Sequence, residues 1–189
     1  LTDCAKIKLS PLFSDNMVLQ QEAEVPVWGK ASPEMRVIVI PSWSGEKYEN
    51  IADRTGNWKV NIKTPKAGGP YHLEITDGEK VRLENVMIGE VWLCSGQSNM
   101  QMPVEGWGKV KNYQQEVAQA NYPDIRLMTV SNTISLSPSQ EFTAVGGGWQ
   151  VCSSVTIREF SATAYFFGRE IARTQQVPVG LICAHWGGT

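Results

Sequence analysis

The fold class predicted for this chain is an antiparallel β-sandwich up to about residue 86, followed by the first half of a doubly wound α/β domain. Three observations predict it. Before residue 86, short runs with a hydrophobic period of two alternate with turn residues, the pattern of a sandwich. Beyond it the period lengthens to that of a helix, and apolar strand-like runs alternate with helical ones. Finally, the apolar run Val91–Cys94 stops at Ser95-Gly96-Gln97-Ser98-Asn99, where a hairpin would use a turn pair and return. A strand that ends this way suits the presentation of a hydroxyl.

Taken in order, short strands fit Val25–Trp28, Met35–Ile40 and Lys47–Ala52. In NWKVNIK, Trp58, Val60 and Ile62 share one face, while Asn57, Lys59, Asn61 and Lys63 share the other. YHLEIT repeats the alternation with Tyr71, Leu73 and Ile75, and Lys80–Glu84 follows. The separators are Gly29, Ser32-Pro33, Ser44-Gly45, Thr55-Gly56 and Gly68-Gly69-Pro70, residues that turns favour. No turn suited to presenting a nucleophile precedes residue 86.

In the second region YQQEVAQA predicts a short helix and IRLMTV a strand. IREFSATAYFFGREIARTQQ sets Phe160, Ala164, Phe167 and Ile171 at helical spacing, and Thr156 with Glu159 offers a capping box at its start. VPVGLICA follows as a strand. This alternation predicts a parallel sheet with right-handed crossovers. Residues 131–152, with Gly146-Gly147-Gly148 among them, read as a long loop.

Composition narrows the function. The chain has 189 residues, is 42% hydrophobic and carries a formal charge of −2, with a pI near 5.8. That is ample for a packed core, and no basic face points to a nucleic-acid partner. The apolar runs are far shorter than the roughly 20 residues that span a bilayer. Leu1 is not an initiator Met and no leader follows it, so the chain is expected to start after processing or at an artificial boundary, with any signal peptide unseen. Cys4, Cys94, Cys152 and Cys183 lie far apart without a CxxC pair, which argues against a zinc or thioredoxin site. Cys94 and Cys183 lie in strand-like runs and read as buried free thiols.

In an open parallel sheet, ligands bind beyond the carboxyl ends of the strands. Ser98 lies just past one such end, and AHWGGT (residues 184–189) past another. A serine hydroxyl needs a base to take its proton, and the tetrahedral intermediate of acyl transfer needs backbone N–H groups aimed at its oxyanion. Gly96 lets the chain turn sharply, and the N–H of Ser98 with that of Gly187 or Gly188 could form the oxyanion hole. Each piece has a plainer reading. A lone Gly-x-Ser is more often a turn than a nucleophile, and Gly187-Gly188 is most often a loop. His72 alternates with core positions and reads as solvent-facing. His185 is the one histidine near the proposed site, yet it reads as structural more readily than as a base. Trp107, Trp149 and Trp186 could line a sugar-binding edge or serve in core and rim packing.

Several blocks carry a resemblance beyond these patterns: LSPLFSDNMVLQQ, VPVWGKA, AGGPYHLEI, NVMIGEVWLCSGQSNMQ and VPVGLICAHWGGT. With them, nearly the whole chain resembles the sialate O-acetylesterase family, within the wider SGNH (GDSL-like) hydrolases. The resemblance implies a sandwich over residues 1–86 and, over 87–189, the amino-terminal part of an SGNH-type α/β/α esterase domain. It implies that Ser98 is the nucleophile and an oxyanion donor, that Gly187 or Gly188 is the second donor, and that Gly96, Gln97 and Asn99 shape the nucleophile loop. It implies hydrolysis of acetyl esters on sialic acids. The alternatives are an acetylxylan or other polysaccharide deacetylase and a non-catalytic carbohydrate-binding protein. No metal or organic cofactor is implied. The implied partners are an O-acetylated carbohydrate and a carboxyl-terminal remainder, with no nucleic acid and no membrane span. The implied location is secreted or periplasmic, or lysosomal in a eukaryote. One departure is serious. The family's Asp-x-x-His segment and a Gly-Glu-Ser-Asn-like block lie downstream of the GGT block, and neither His72 nor His185 occupies the catalytic histidine position. This chain is therefore expected to hold the nucleophile without its base, and to be inactive alone.

Overall fold

A computed structural model of the chain describes residues 7–108, 110–139 and 141–188; Cys4 and Thr189 lie outside them. The strands are β1 (Lys8–Leu9), β2 (Val18–Gln20), β3 (Glu24–Lys30), β4 (Arg36–Pro41), β5 (Tyr48–Ile51), β6 (Asn57–Lys63), β7 (Gly68–Thr76), β8 (Lys80–Gly96), β9 (Asn121–Thr129), β10 (Gln150–Ser153) and β11 (Val179–His185). The helices are α1 (Ser98–Gln101), α2 (Tyr113–Gln119) and α3 (Ala162–Gln175).

The strands form two sheets. A three-stranded sheet has the order β1-β3-β6, and an eight-stranded sheet runs β10-β9-β11-β8-β7-β4-β5, with β2 also paired to β8. The alternation predicted for NWKVNIK is the observed one: Trp58, Val60 and Ile62 are buried, and the residues between them are exposed. These residues, with Val27, Val37, Val39, Leu73, Ile75, Leu83 and Val86, belong to one core shared by the three-stranded sheet and the β7-β4-β5 side of the larger one. No helix interrupts residues 35–62.

The 17-residue strand β8 organises the molecule. Its first half pairs antiparallel with β7, Met87–Gly89 pairs parallel with β2, and Glu90–Gly96 pairs parallel with β11. The predicted change of period at residue 86 therefore falls inside one continuous strand, next to Asn85, whose φ of 55° bends the backbone locally. Beside the junction, Arg126 of β9 is buried and donates to the carbonyl of Pro123 at 2.9 Å. Longer contacts of 3.4 Å run from its guanidinium to the carbonyls of Asn16 and Asn85. Burial lowers the pKa of this guanidinium, with Asp124 opposing the shift.

Beyond the junction, β11 runs parallel to both β8 and β9, as the strand and helix alternation predicted. A second core lies between these strands and the helices, with Leu127, Ile157, Tyr165, Val179 and Leu181 at its centre. Three expectations need correction here. Residues 150–153 are not loop but the edge strand β10, antiparallel to β9, because Cys152 seals the second core from that side. The cap of α3 is Ser161, not Thr156: Ser161 Oγ accepts the Ala164 N–H at 3.1 Å. Thr156 instead closes the preceding turn, accepting the Ser153 N–H and donating to the Val151 carbonyl. The buried face of α3 is Ala162, Ala164, Tyr165 and Gly168, while Phe167 stays partly exposed against Trp92. Among the described residues, no helix is long and apolar enough to cross a membrane.

Candidate active site

Two chain segments meet at the carboxyl ends of β8 and β11. Their register sets Ala184 opposite Ser95 and His185 opposite Gly96, and the Trp186 N–H continues the ladder to the Gly96 carbonyl at 3.1 Å. The turn after each strand is therefore held beside the other.

On the β8 side, Gly96 has a φ of 154°, which side-chain-bearing residues rarely adopt, and a methyl group there would lie 3.2 Å from Met100 Cβ. The chain can thus fold back at once into the single turn α1, closed by Gln101 N–H to Gln97 carbonyl and Met102 N–H to Ser98 carbonyl bonds, each 2.9 Å. A helix this short is marginal by itself. Its neighbours hold it: Thr163 Oγ1 donates to the Asn99 carbonyl at 2.9 Å, and the Ala162 N–H to the Met102 carbonyl at 2.8 Å. Ser161, which caps α3, also contacts Met100 Sδ at 3.5 Å. The first turn of α3 is therefore the floor on which α1 rests. Gln97, Ser98 and Asn99 are all exposed above it.

On the β11 side, Gly187 makes the closest approach. A methyl group at this position would sit 3.3 Å from Ser98 Oγ, 3.4 Å from Ser98 Cα and only 2.6 Å from Gln101 Oε1. A side chain here would displace the Gln101 amide first and crowd Ser98 Oγ. The Gly187 N–H donates to Gln101 Oε1 at 2.7 Å, and Gly188, with a φ of 82°, turns the chain beyond. The structure thus brings Gly187 beside Ser98, with Gly188 next along the turn and nothing within 4 Å of where its side chain would lie. Gln101 escaped the sequence reading. A signal existed: it stands three residues after Ser98, which on a helical turn is the same side.

The other candidates lie apart from this chemistry. His185 is half-buried; burial lowers its pKa, which favours the neutral imidazole, and its Nδ1 has no hydrogen-bond partner among the described residues. No hydrogen bond joins it to Ser98 among these residues. His72 is half-buried on β7, next to Leu73, which pairs with Leu83; from there to Gly96 is roughly 40 Å of strand. Trp149 is a core residue whose ring N–H donates to the Leu12 carbonyl at 2.9 Å, which removes it from any sugar-binding edge. Trp107 and Trp186 keep exposed surface, Trp186 immediately before Gly187.

Cys94, Cys152 and Cys183 are buried and free, as Cys94 and Cys183 were expected to be. Cys94 and Cys183 face each other in register beneath the site, and their thiols share a hydrogen bond that raises the pKa of Cys183 and lowers that of Cys94. Burial pushes Cys152 up to about 12, so it stays a thiol at neutral pH. An exposed hydroxyl beside a glycine turn, over a floor fixed by α3, is a geometry suited to acyl transfer.

Comparison with known proteins agrees with that chemistry. Residues 88–189 match the family model described as carbohydrate esterase, sialic acid-specific acetylesterase. The chain is 32% identical to the human sialate O-acetylesterase over 198 residues, covering 96% of this chain and 37% of that protein. It is likewise 32% identical to the mouse sialate O-acetylesterase, covering 94% of this chain and 35% of that one. In three dimensions it is similar to the crystal structure of a carbohydrate acetylesterase from Xanthomonas citri, with a TM-score of 0.89, 35% identity, and coverage of 97% of this chain and 41% of that chain. The chain therefore spans little more than a third of the curated relatives it matches. Its matched region is more than half of its own length, and by that match the chain belongs to the family of sialic acid-specific acetylesterases among the carbohydrate esterases.

Proposed function

We propose that the intact protein is a carbohydrate O-acetylesterase that removes acetyl groups from sialic acids, with Ser98 as its nucleophile. The observation that carries this reading is the approach of the Gly187 turn to Ser98 Oγ at the carboxyl ends of two parallel strands. In the first half-reaction Ser98 Oγ attacks the acetyl carbonyl carbon and its proton passes to a base. The oxyanion is held by the Ser98 N–H and an N–H of the Gly187–Gly188 turn. With the Gly187 N–H engaged by Gln101, the Gly188 N–H is the donor this arrangement favours. The tetrahedral intermediate then collapses, the sugar oxygen leaves with a proton from the same base, and an acetyl-serine remains. Water, deprotonated by the base, attacks that ester and releases acetate, which restores Ser98.

The base belongs to an Asp–His pair in the part of the relatives' length that this chain does not span. In this reading residues 1–86 are a β-sandwich, and 87–189 are the first part of an SGNH-type hydrolase domain. Trp107 and Trp186 offer exposed rings for a sugar face.

The test is made on the intact protein. A fluorophosphonate should label Ser98, and Ser98→Ala should lower the hydrolysis of acetylated sialic acid and of an aryl acetate by about 10³-fold or more. Labelling at another residue, with Ser98→Ala still active, would sink the assignment. Rapid release of acetate from acetylated xylan, with none from sialic acid, would move the substrate to plant polysaccharide.

A further inference from the structure

Gln101 reaches from α1 across to the turn after β11. Its side-chain oxygen accepts the Gly187 N–H at 2.7 Å, a bond between residues 86 positions apart in the chain. The same oxygen is the atom a methyl group at Gly187 would strike first, at 2.6 Å, ahead of Ser98 Oγ at 3.3 Å. Gln101 and Ser98 are the two ends of one helical turn, α1. Holding Gly187 through Gln101 therefore fixes its distance to Ser98 through a rigid three-residue step.

We propose that Gln101 is a positioning residue: its side-chain carbonyl clamps the Gly187–Gly188 turn at the spacing from Ser98 that the second oxyanion donor requires. This rests on Ser98 being the nucleophile. The physical reason lies in the geometry of an oxyanion hole. Such a hole works because its N–H groups are already aimed where charge develops, and errors near 1 Å cost large factors in rate. A turn of two glycines has more backbone freedom than any other dipeptide, so its own conformation does not guarantee that aim. The sheet holds the turn as far as Trp186, whose N–H bonds the Gly96 carbonyl. From there, Gln101 supplies the next fixed point. The clamp also commits the Gly187 N–H, so that the turn offers the following one, on Gly188. What matters in Gln101 is an acceptor at that reach, not a charge and not its NH₂ group.

Three substitutions in the intact protein separate this role from simple packing. Gln101→Leu keeps the bulk and removes the acceptor; Gln101→Asn keeps the amide and withdraws it by one methylene; Gln101→Glu keeps an acceptor at full reach. Gln101→Leu and Gln101→Asn should lower kcat for acetyl ester hydrolysis by about 10²-fold, the scale of one lost oxyanion donor, with KM within about threefold. Gln101→Glu should restore most of that loss. Amide hydrogen exchange supplies a readout free of activity. The Gly187 amide should be protected in the wild type and in Gln101→Glu, and should exchange faster in the other two. Wild-type kcat in Gln101→Leu would overturn the proposal. So would a slow Gln101→Leu whose Gly187 amide stays protected, or a Gln101→Glu as slow as Gln101→Leu. If Gln101→Leu fails to fold, Gln101→Asn carries the same comparison. Should the intact wild type hydrolyse no acetyl ester, or Ser98→Ala keep its activity, the nucleophile reading fails, while the exchange data still decide whether Gln101 holds Gly187.

Discussion

On β6, buried and exposed residues alternate without a break, and its buried residues meet a second sheet; on the upper half of β8, Trp92 and Leu93 are sequence neighbours that point to opposite faces, and both are exposed. The first region is closed. Its apolar side chains are shared between the two sheets, and the residues left outside are largely polar. The second is closed on one side only. From Glu90 to Gly96, β8 bonds to β11 along one edge. Along the other, Gln20 Oε1 takes the Val91 N–H at 3.0 Å, and no strand among the described residues lies beyond. Leu93 is 69% exposed there, and Trp92 leans on a partly exposed Phe167. An open edge with bare apolar side chains is a template for another strand. The contrast teaches that the amino-terminal core is closed among the described residues, whereas the edge beside Ser98 is left open among them.

The largest expected effect breaks the comparison at that edge. On the reading proposed above, in which the base lies outside residues 1–189, these residues expressed alone should hydrolyse acetyl esters at least about 10³-fold more slowly than the intact protein. Leu93→Lys should make the separate piece more soluble and should lower the thermal midpoint of the intact protein, because a charge would there be buried. A soluble, monomeric piece with full activity would overturn the argument and bring His185 forward as the base. A Leu93→Lys that leaves the intact protein's midpoint unchanged would mean the edge stays open there too.

Much of this arrangement was legible in the sequence, for local reasons. The strands with a strict period of two, such as β6, announce their buried face residue by residue. Ser98 and the glycine pair were legible because a strand that ends in small polar residues leaves a turn at the sheet's carboxyl edge. What escaped depends on contacts far apart in sequence. β10 is four residues in a glycine-containing stretch and becomes a strand only by pairing with β9. Trp149 looks the same as an exposed tryptophan until its ring N–H finds the Leu12 carbonyl, 137 positions away. For α3, Thr156 with Glu159 satisfied a local capping pattern, yet Thr156 is consumed by the turn that follows β10, and the helix waits for Ser161. The role of Gln101 needed Gly187 beside it, which only the β8–β11 register supplies.

The next effect is smaller and tests the floor of the open region. Ser161 is fully buried, so the Ala164 N–H that it caps has no water to turn to. Ser161→Ala should cost about 1–2 kcal/mol, the upper range for a lost N-cap. It should also loosen α1, whose Met100 rests on the same hydroxyl. The expected reading is a lower thermal midpoint together with faster amide exchange in residues 98–102. A lower midpoint with unchanged exchange there would show that α3 supports the fold but not the nucleophile turn.

The smallest effect comes from the same kind of bond in the closed region. Asp53, in the turn between β5 and β6, accepts from the Thr55 N–H at 2.8 Å, the Thr55 hydroxyl at 2.7 Å and the Asn57 N–H at 2.9 Å. The hydroxyl of Thr55 leads these bonds in holding the carboxyl at about 2, below its ordinary 3.8. A depressed carboxylate pKa means that the folded state favours the charged form. Its stabilising contribution is therefore complete above the ordinary value and fades as pH falls through about 2. The group is exposed, and solvent screening keeps the contribution small. Asp53→Asn keeps an acceptor for the turn and removes only the charge. The wild type should be slightly more stable than this variant near neutral pH, and the gap should close as the solution is acidified through the window between those two values. Denaturation midpoints of the two proteins, compared along that titration at low salt, read the gap directly. A gap that stays constant into acid would mean that the Asp53 bonds hold the turn by shape and not by charge, as Ser161 does for α3.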